Sequence, residues 1–177
     1  MYHIPVMLKE CIEGLNIKPD GVYVDVTFGG GGHSRRILEC LGENGRLYAF
    51  DQDEDAAKNV IDDSRFTFIQ QNFRYMKNFI QLYCGGKVDG ILADLGVSSY
   101  QFDTPEKGFS TRFDGRLDMR MNQNAAVDAA SVVNTYDLKS LAAVLSRYGE
   151  LRNVISIAVA IIAARDIKPM GTTRELE

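Results

Sequence analysis

The sequence contains no tryptophan, only two histidines and only three cysteines among its 177 residues. The cysteines (Cys11, Cys40 and Cys84) are odd in number, lie far apart and form no Cys-x-x-Cys pair, which argues against a disulfide framework and a zinc site. No apolar run reaches the roughly 18 residues that a membrane helix needs, and the first residues lack the pattern of a secretory signal. We therefore expect a cytoplasmic protein with no metal site and no contact with a membrane.

An excess of positive charge is also missing. Lys and Arg number 20 against 24 Asp and Glu, which gives a net charge of −4 at pH 7. Such a chain has no bulk attraction to nucleic acid, so any nucleic-acid partner would require a local patch. The length suits one domain or a little more, with enough chain to bury a core.

Apolar runs alternate with glycine-containing turns in the first part of the chain, residues 1–103. The predicted strands are residues 22–26, 46–51, 66–69 and 88–95, and the predicted helices are residues 6–15, 34–41, 54–61 and 75–83. This alternation predicts an α/β fold with a parallel sheet and right-handed crossovers. Residues 104–177 begin irregularly and then carry two apolar helical stripes, from Leu138 and from Leu151, so we expect a second, helical domain there.

A helix-opening signal stands close to the last residue. Residues 172–175 (Thr-Thr-Arg-Glu) match the capping box that begins a helix, and only Leu176 and Glu177 follow. The sequence therefore predicts a truncated helical domain.

The strongest local signal is a glycine loop at residues 25–34 (Asp-Val-Thr-Phe-Gly-Gly-Gly-Gly-His-Ser), between a predicted strand and a predicted helix. In parallel sheets ligands bind beyond the carboxyl ends of the strands, where glycines allow close approach and a helix N-terminus offers N–H groups. The dinucleotide fingerprint fails, because Ser34 or Arg35 stands where its third glycine is required. The alternative is a flexible turn without a ligand.

A second glycine spacing fits better. Class I methyltransferases hold S-adenosylmethionine with an acid-x-Gly-x-Gly-x-Gly loop, and here Asp25, Gly29 and Gly31 fit this pattern, with Thr27 in place of the first glycine. Asp51, at the end of the second predicted strand, can accept hydrogen bonds from both ribose hydroxyls of an adenosine, or can cap the next helix. Phe73, after the third strand, can cover an adenine or belong to the core.

Two further polar residues follow the same sheet. Asp94 ends the fourth predicted strand, near where a sulfonium and its acceptor should meet, and its alternative role is a turn carboxylate. His33 lies at the N-terminus of the helix predicted at residues 34–41, and we expect it to donate a hydrogen bond to a ligand or to the loop rather than bind a metal.

Several strings spread over essentially the whole chain have the form of one known family. They are residues 3–7 (His-Ile-Pro-Val-Met), 27–34, Asp51-x-Asp53, 89–99 (Asp-Gly-Ile-Leu-Ala-Asp-Leu-Gly-Val-Ser-Ser), 108–110 (Gly-Phe-Ser) and 117–121 (Leu-Asp-Met-Arg-Met). In these strings the sequence resembles the RsmH/MraW family of bacterial 16S ribosomal RNA cytosine-N4 methyltransferases.

The resemblance implies S-adenosylmethionine as methyl donor and a P-site cytosine of 16S ribosomal RNA, in the small ribosomal subunit, as acceptor. It also implies a Rossmann-like class I methyltransferase domain with a helical domain inserted after the fourth strand. The implied cofactor contacts are Gly31, Gly32, His33, Asp51, Phe73, Asp94 and Gln101. Family members continue beyond the position of Glu177, so we expect this chain to be a fragment. The resemblance does not decide whether the fragment is active on its own. The alternative is a non-catalytic S-adenosylmethionine-binding module, and a nucleotide-dependent oxidoreductase is a third hypothesis.

Asp94 is the candidate catalytic residue. Many exocyclic-amine methyltransferases carry Asp/Asn-Pro-Pro-Tyr at this position, whereas residues 94–97 read Asp-Leu-Gly-Val. Asp94 can still accept a hydrogen bond from the amine, and Tyr100, Phe102 or Phe109 can stack on a base or pack in a core.

Residues 103–116 interleave basic and aromatic side chains, which suits either RNA contact or a solvated loop. The predicted strand 88–95 would also leave a long apolar edge bare. We therefore expect either a homodimer or a complementing C-terminal fragment.

Overall fold

The computed structural model describes residues 5–177, so the first part of the string at residues 3–7 lies outside the described residues. The chain divides into two units. One comprises the residues up to Gly96 together with Met121–Gln123, and the other comprises Val97–Arg120 and Asn124–Glu177. The domain boundary predicted at residues 103/104 lies later in the chain than this division.

The first unit contains a parallel sheet of four strands in the order β3-β2-β1-β4. The strands are β1 (Val22–Asp25), β2 (Arg46–Phe50), β3 (Phe66–Ile69) and β4 (Gly90–Leu92). The strand order reverses at β1, which has β2 on one side and β4 on the other. Asp25, the last residue of β1, stands opposite Ala49 and Leu92, so the carboxyl ends of these strands form one edge.

Helices cover both faces of this sheet. They are α1 (Leu8–Leu15), α2 (Gly32–Cys40) and α3 (Met76–Cys84), with 3₁₀ helices at Glu54–Asn59 and Phe73–Tyr75. Because side chains alternate along a strand, Tyr23 packs with α2 residues on one face and Val24 packs with Ile80 of α3 on the other. Burying each such side chain contributes about 1.5–3 kcal/mol, so the two layers hold the sheet edge in place.

The helix predicted at residues 54–61 is a 3₁₀ helix. Asp53 caps it, with its carboxylate accepting from the Asp55 N–H at 3.1 Å, and the backbone is already out of the helical region at Val60. The helical segment before β3 is therefore only six residues long, Glu54–Asn59, and it forms 3₁₀ rather than α-helical turns.

The fourth strand is much shorter than predicted. Only Gly90–Leu92 pair with β1 as strand residues, and side-chain contacts add to the backbone hydrogen bonds at both ends. Asp89 accepts from the Val22 N–H at 3.0 Å, and the Asp94 N–H donates to the Thr27 hydroxyl at 2.8 Å. The expectation of a long apolar edge over residues 88–95 is therefore wrong, although Ile91 is 45% exposed and Leu95 is 68% exposed.

The second unit is helical. Its helices are α4 (Ser99–Asp103), α5 (Ala129–Thr135), α6 (Leu138–Gly149), α7 (Val154–Ile167) and α8 (Thr173–Leu176), with a 3₁₀ helix at Pro105–Lys107. The two predicted stripes form α6 and α7, which pack around Leu141, Ala142 and Ala158. The predicted capping box at Thr172 is confirmed, with Glu175 as its partner. Within the described residues, no helix is long and apolar enough to cross a membrane.

The string at residues 117–121 has a structural role in the second unit. Leu117 is buried, and Asp118 forms two hydrogen bonds to the Arg120 guanidinium, at 2.8 and 2.6 Å. The backbone carbonyl of Asp118 also accepts from the Ala129 N–H at 2.7 Å. These contacts fix the segment before α5.

Candidate functional site

The glycine loop leaves β1 at the switch point of the sheet and is anchored by Phe28. This side chain is buried against the rings of Phe66 and Phe68, at centroid distances of 5.4 and 5.2 Å. The Phe28 N–H donates to the carbonyl of Phe50 at 3.0 Å, which continues the pairing of β1 with β2. An aromatic anchor therefore holds the loop that follows it at the carboxyl edge.

Three glycines of the loop, at positions 30–32, have different conformations and surroundings. Gly31 has φ 75°, and a Cβ there would lie 2.9 Å from Phe28, while its N–H donates to the Phe28 carbonyl at 2.7 Å. Gly31 thus shapes the turn. A Cβ at Gly32 would lie 2.2 Å from Pro5, whereas Gly30 has open space around it. Gly30 is the point at which a ligand can approach the backbone.

Asp51 joins the end of β2 to the glycine loop. One carboxylate oxygen accepts from the Gly29 N–H at 2.8 Å and the other accepts from the Asp53 N–H at 2.9 Å. Burial raises the pKa of Asp51, and these backbone hydrogen bonds partly offset that rise. Each oxygen still has a second lone pair, which is the capacity needed to accept from two vicinal hydroxyls.

Asn59 completes the clamp on Gly29. Its side-chain amide donates to the Gly29 carbonyl at 3.0 Å, so both polar groups of this residue are held by side chains from the segment after β2. Sequence reasoning missed Asn59, because a single Asn near the end of a short helix carries no distinctive signal.

Asp25 is fully buried beneath the loop. Ser34 Oγ donates to one carboxylate oxygen at 2.7 Å, and the Thr27 N–H donates to the other at 3.0 Å. Burial raises the pKa of Asp25, and the Ser34 hydrogen bond opposes this rise. Asp25 therefore ties the start of α2 to the end of β1 rather than facing a ligand.

Asp94 and Phe73 expose their side chains. Asp94 follows β4, where its backbone is held by Thr27 and its side chain faces solvent. The Phe73 side chain is 42% exposed, so this residue is not part of the core. Both placements suit residues that contact a ligand.

Two polar residues that sequence reasoning missed connect the loops after β2 and β3. The Asn72 amide donates to the Gln52 side-chain carbonyl at 2.9 Å, and its own carbonyl accepts from the Arg74 N–H at 2.9 Å. The Asn in front of a short helix is the signal that identifies such a cap. Phe73 is thereby presented from a fixed turn.

His33 and Gln101 make contacts within the fold. The buried His33 ring donates through Nε2 to the Val6 carbonyl at 3.1 Å. Gln101 belongs to the second unit, where it shares a capping box with Ser98 at the start of α4. For these two residues the cofactor role remains a prediction.

The basic side chains of residues 103–116 also have partners within the second unit. Lys107 is buried, with Nζ 5.4 Å from the centre of the Tyr100 ring. Arg112 pairs with Asp103 at 3.4 Å, and Arg116 pairs with Asp128 at 3.2 Å. These contacts lie within the second unit, and contact of this segment with RNA remains a prediction. Among the residues described, no three metal-ligand side chains cluster.

A parallel sheet in this order, with an acid-anchored glycine loop and a carboxylate after the neighbouring strand, is the nucleotide-binding half of a doubly wound fold, and this is the arrangement of class I methyltransferases. The model of the MraW methylase family matches residues 1–177, and the chain belongs to that family.

Relatives with known names point the same way. The ribosomal RNA small subunit methyltransferase H of Bacteroides fragilis is 57% identical over 174 residues, which are 98% of this chain and 57% of that protein. The protein of the same name from Flavobacterium psychrophilum is 59% identical over 171 residues, which are 97% of this chain and 59% of that protein. The chain thus spans less than two thirds of the length of these relatives.

Solved structures add little. A putative rRNA methylase from Clostridium thermocellum is 27% identical, covers 45% of this chain and 49% of that chain, and has a TM-score of 0.38, too low a likeness to bear on the fold.

Proposed function

We propose that this chain is the S-adenosylmethionine-binding part of a methyltransferase that acts on N4 of a P-site cytosine in 16S ribosomal RNA of the small subunit. The family and the names of the relatives support methylation of ribosomal RNA. The observation that carries the cofactor assignment is the contact between Asp51 and Gly29. It joins a carboxylate that can accept from a ribose to a loop with open space at Gly30.

The residues at the sheet edge fit such a cofactor. Asp51 would accept hydrogen bonds from the ribose hydroxyls, the glycine loop would contact the remainder of the molecule, and the exposed Phe73 ring would cover the adenine. When bound, S-adenosylmethionine supplies an electrophilic methyl group on a sulfonium. The chain's own task is then to hold donor and acceptor in line, since positioning of this kind supplies about 7–11 kcal/mol.

Asp94 would act on the acceptor. Its exposed carboxylate can accept a hydrogen bond from the exocyclic amine, which favours the nucleophilic form of the nitrogen, and can take up the proton that the amine loses. The base must leave its RNA context to reach this position.

The test begins with binding. Calorimetry of this chain with S-adenosylhomocysteine should show one site, whereas NAD should give no heat. Binding of NAD in place of S-adenosylhomocysteine would contradict the proposal in favour of an oxidoreductase.

Transfer is measured separately, with radiolabelled S-adenosylmethionine and 30S subunits that lack the modification. The samples are this chain and a chimera in which it replaces the 174 matched residues of the B. fragilis relative. We expect label on a cytosine with the chimera. Cofactor binding without transfer by either protein would favour the alternative, a binding module without catalysis.

Assembly is a further part of the proposal. The exposed side chains of Ile91 in β4 and of Leu95 after it support either a homodimer or a complementing C-terminal fragment. Light scattering at micromolar concentration, with mass spectrometry for a copurifying fragment, distinguishes these arrangements. A monodisperse monomer without a second fragment would exclude both.

A further inference from the structure

The ends of β1 and β4 are joined by one side chain beyond their last backbone contact. The ladder between the two strands ends where the Val26 N–H donates to the Leu92 carbonyl at 2.9 Å. One step further along, the Asp94 N–H donates to Thr27 Oγ1 at 2.8 Å. Thr27 therefore links the carboxyl ends of β1 and β4 at the topological switch point, where folds of this kind bind ligands.

The orientation of the Thr27 hydroxyl is set by Asp25. The hydroxyl oxygen lies 3.4 Å from the same carboxylate oxygen that accepts from the Thr27 N–H at 3.0 Å. The hydroxyl of Ser34 donates a hydrogen bond to the other oxygen of this buried carboxylate. A hydroxyl has one donor and two acceptor lone pairs, so directing its proton toward Asp25 leaves a lone pair for the Asp94 N–H.

The residue type matters at this position. In the acid-x-Gly-x-Gly-x-Gly spacing the position of Thr27 is a glycine, which has no side chain with which to reach β4. A threonine is also restricted about χ1, and the contacts of its hydroxyl with Asp25 and the Asp94 N–H set the direction of its oxygen. The departure from the glycine pattern therefore has a physical consequence, which is a fixed link between the glycine loop and Asp94.

From this geometry we infer that Thr27 is a positioning residue, which holds the backbone of Asp94 at a fixed distance from the glycine loop. The inference rests on the proposed function, in which the loop holds the methyl donor and Asp94 meets the acceptor. In this role Thr27 acts through the backbone of Asp94 and not on the donor or the acceptor. Its effect is to limit the movement of Asp94 relative to the donor, and misplacement on the scale of 1 Å can cost about a hundredfold in rate.

Two variants separate the hydroxyl from the shape of the side chain. Thr27→Val keeps the branched shape and removes the hydroxyl, whereas Thr27→Ser keeps the hydroxyl. In this chain, amide hydrogen exchange at Asp94 should rise about twofold to tenfold in Thr27→Val and stay near wild type in Thr27→Ser. The Gly29 amide, held by Asp51, is the internal reference and should not change. Equal exchange at Asp94 in both variants would overturn the inference.

Turnover of the chimera described above provides the second readout. Thr27→Val should lower kcat by about tenfold or more and leave KM for S-adenosylmethionine within about twofold, and Thr27→Ser should recover most of kcat. A purely structural role would lower stability without this split between kcat and KM. Unchanged kcat in a folded Thr27→Val chimera would overturn the positioning role.

The two readouts keep this inference distinct from the proposed function. If the wild-type chain binds no S-adenosylhomocysteine, the proposed function fails, while the exchange measurement still decides whether Thr27 holds Asp94. If Thr27→Val does not fold, as judged by thermal melting, Thr27→Ala makes the same comparison with Thr27→Ser.

Discussion

Replacing Asp51 by Asn tests the cofactor assignment most directly. The substitution keeps the size of the side chain but removes its charge and turns one acceptor oxygen into an NH₂ donor. In the structure both oxygens are already engaged, with the N–H groups of Gly29 and Asp53 at 2.8 and 2.9 Å. One of these donors must then face another donor.

The magnitude follows from these contacts. A hydrogen bond to a charged group contributes about 1.5–3 kcal/mol, so losing the charged partner of the ribose should weaken S-adenosylhomocysteine binding by about ten- to a hundredfold. Loss of one backbone hydrogen bond should lower the free energy of unfolding by about 1.5 kcal/mol or more, and this loss is partly offset because the substitution also removes a charge that burial disfavours.

Calorimetry measures the affinity, and urea unfolding followed by circular dichroism measures the stability. Asp62→Asn, at an exposed carboxylate in the loop before β3, is the matched control and should change neither. Unchanged affinity in Asp51→Asn would refute the ribose contact. Lower stability with unchanged affinity would limit Asp51 to supporting the glycine loop.

Further substitutions test other parts of the structure. Gly30→Ala has open space and should fold normally while weakening S-adenosylhomocysteine binding in calorimetry, whereas Gly31→Ala forces a Cβ to 2.9 Å from Phe28 at φ 75° and should also lower the melting temperature. Normal binding by Gly30→Ala would place the ligand elsewhere. Gly115→Ala puts a Cβ 1.9 Å from the Pro105 carbonyl oxygen and should destabilise the second unit in urea unfolding, while Gly14→Ala, which meets nothing within 4 Å in α1, should stabilise the protein by about 1 kcal/mol. The pKa of Asp128 is lowered from 3.8 to about 2 by Ser131 and Arg116, so its contribution to stability is present above the ordinary value and is lost as pH falls toward 2. Asp128→Asn should therefore flatten the decline in melting temperature over this acid range, and an unchanged decline would contradict it.

The regular elements could be predicted because their signals are local. The strands at residues 22–26, 46–51 and 66–69 are confirmed within a residue, since short β-branched runs between turns predict buried strands. The stripes that became α6 and α7 follow the helical period, and the capping box at Thr172 is a pattern within four residues.

The bounds of β4 and the existence of α5 were not predicted, for different reasons. Just past the end of β4, the Asp94 N–H donates to the hydroxyl of Thr27, which lies 67 residues away in the chain, so no local signal marks this end. The helix α5 contains β-branched residues, which carry a weak helical signal, but Asp128 accepts from the Ser131 N–H in front of it. That spacing of Asp and Ser is a cap that sequence reasoning could have used.

The sequence predicted where the residues of the candidate site lie, but not the hydrogen bonds that connect them. The positions of Asp51, Phe73 and Asp94 follow from the rule that ligands lie beyond the carboxyl ends of parallel strands. The clamp of Asn59 on Gly29 could not be predicted, because it requires the loop conformation that the clamp itself stabilises. The cofactor roles of all these residues remain predictions.

The carboxylates at the sheet edge differ electrostatically from those elsewhere. Burial raises the pKa of both Asp25 and Asp51, so the fold disfavours their charged forms, whereas ion pairs and caps lower the pKa of Asp63 and Asp128 to about 2. By linkage, Asp25 and Asp51 contribute less to the stability of the fold as pH rises through their raised pKa values. Asp63 and Asp128 contribute more to stability as pH rises above 2. Charge at Asp25 and Asp51 therefore opposes folding at neutral pH. Asp51, which the fold holds at such a cost, is a candidate for a functional site on physical grounds, and it lies at the edge where the strand order independently places one, whereas the carboxylate of Asp25 joins α2 to the end of β1.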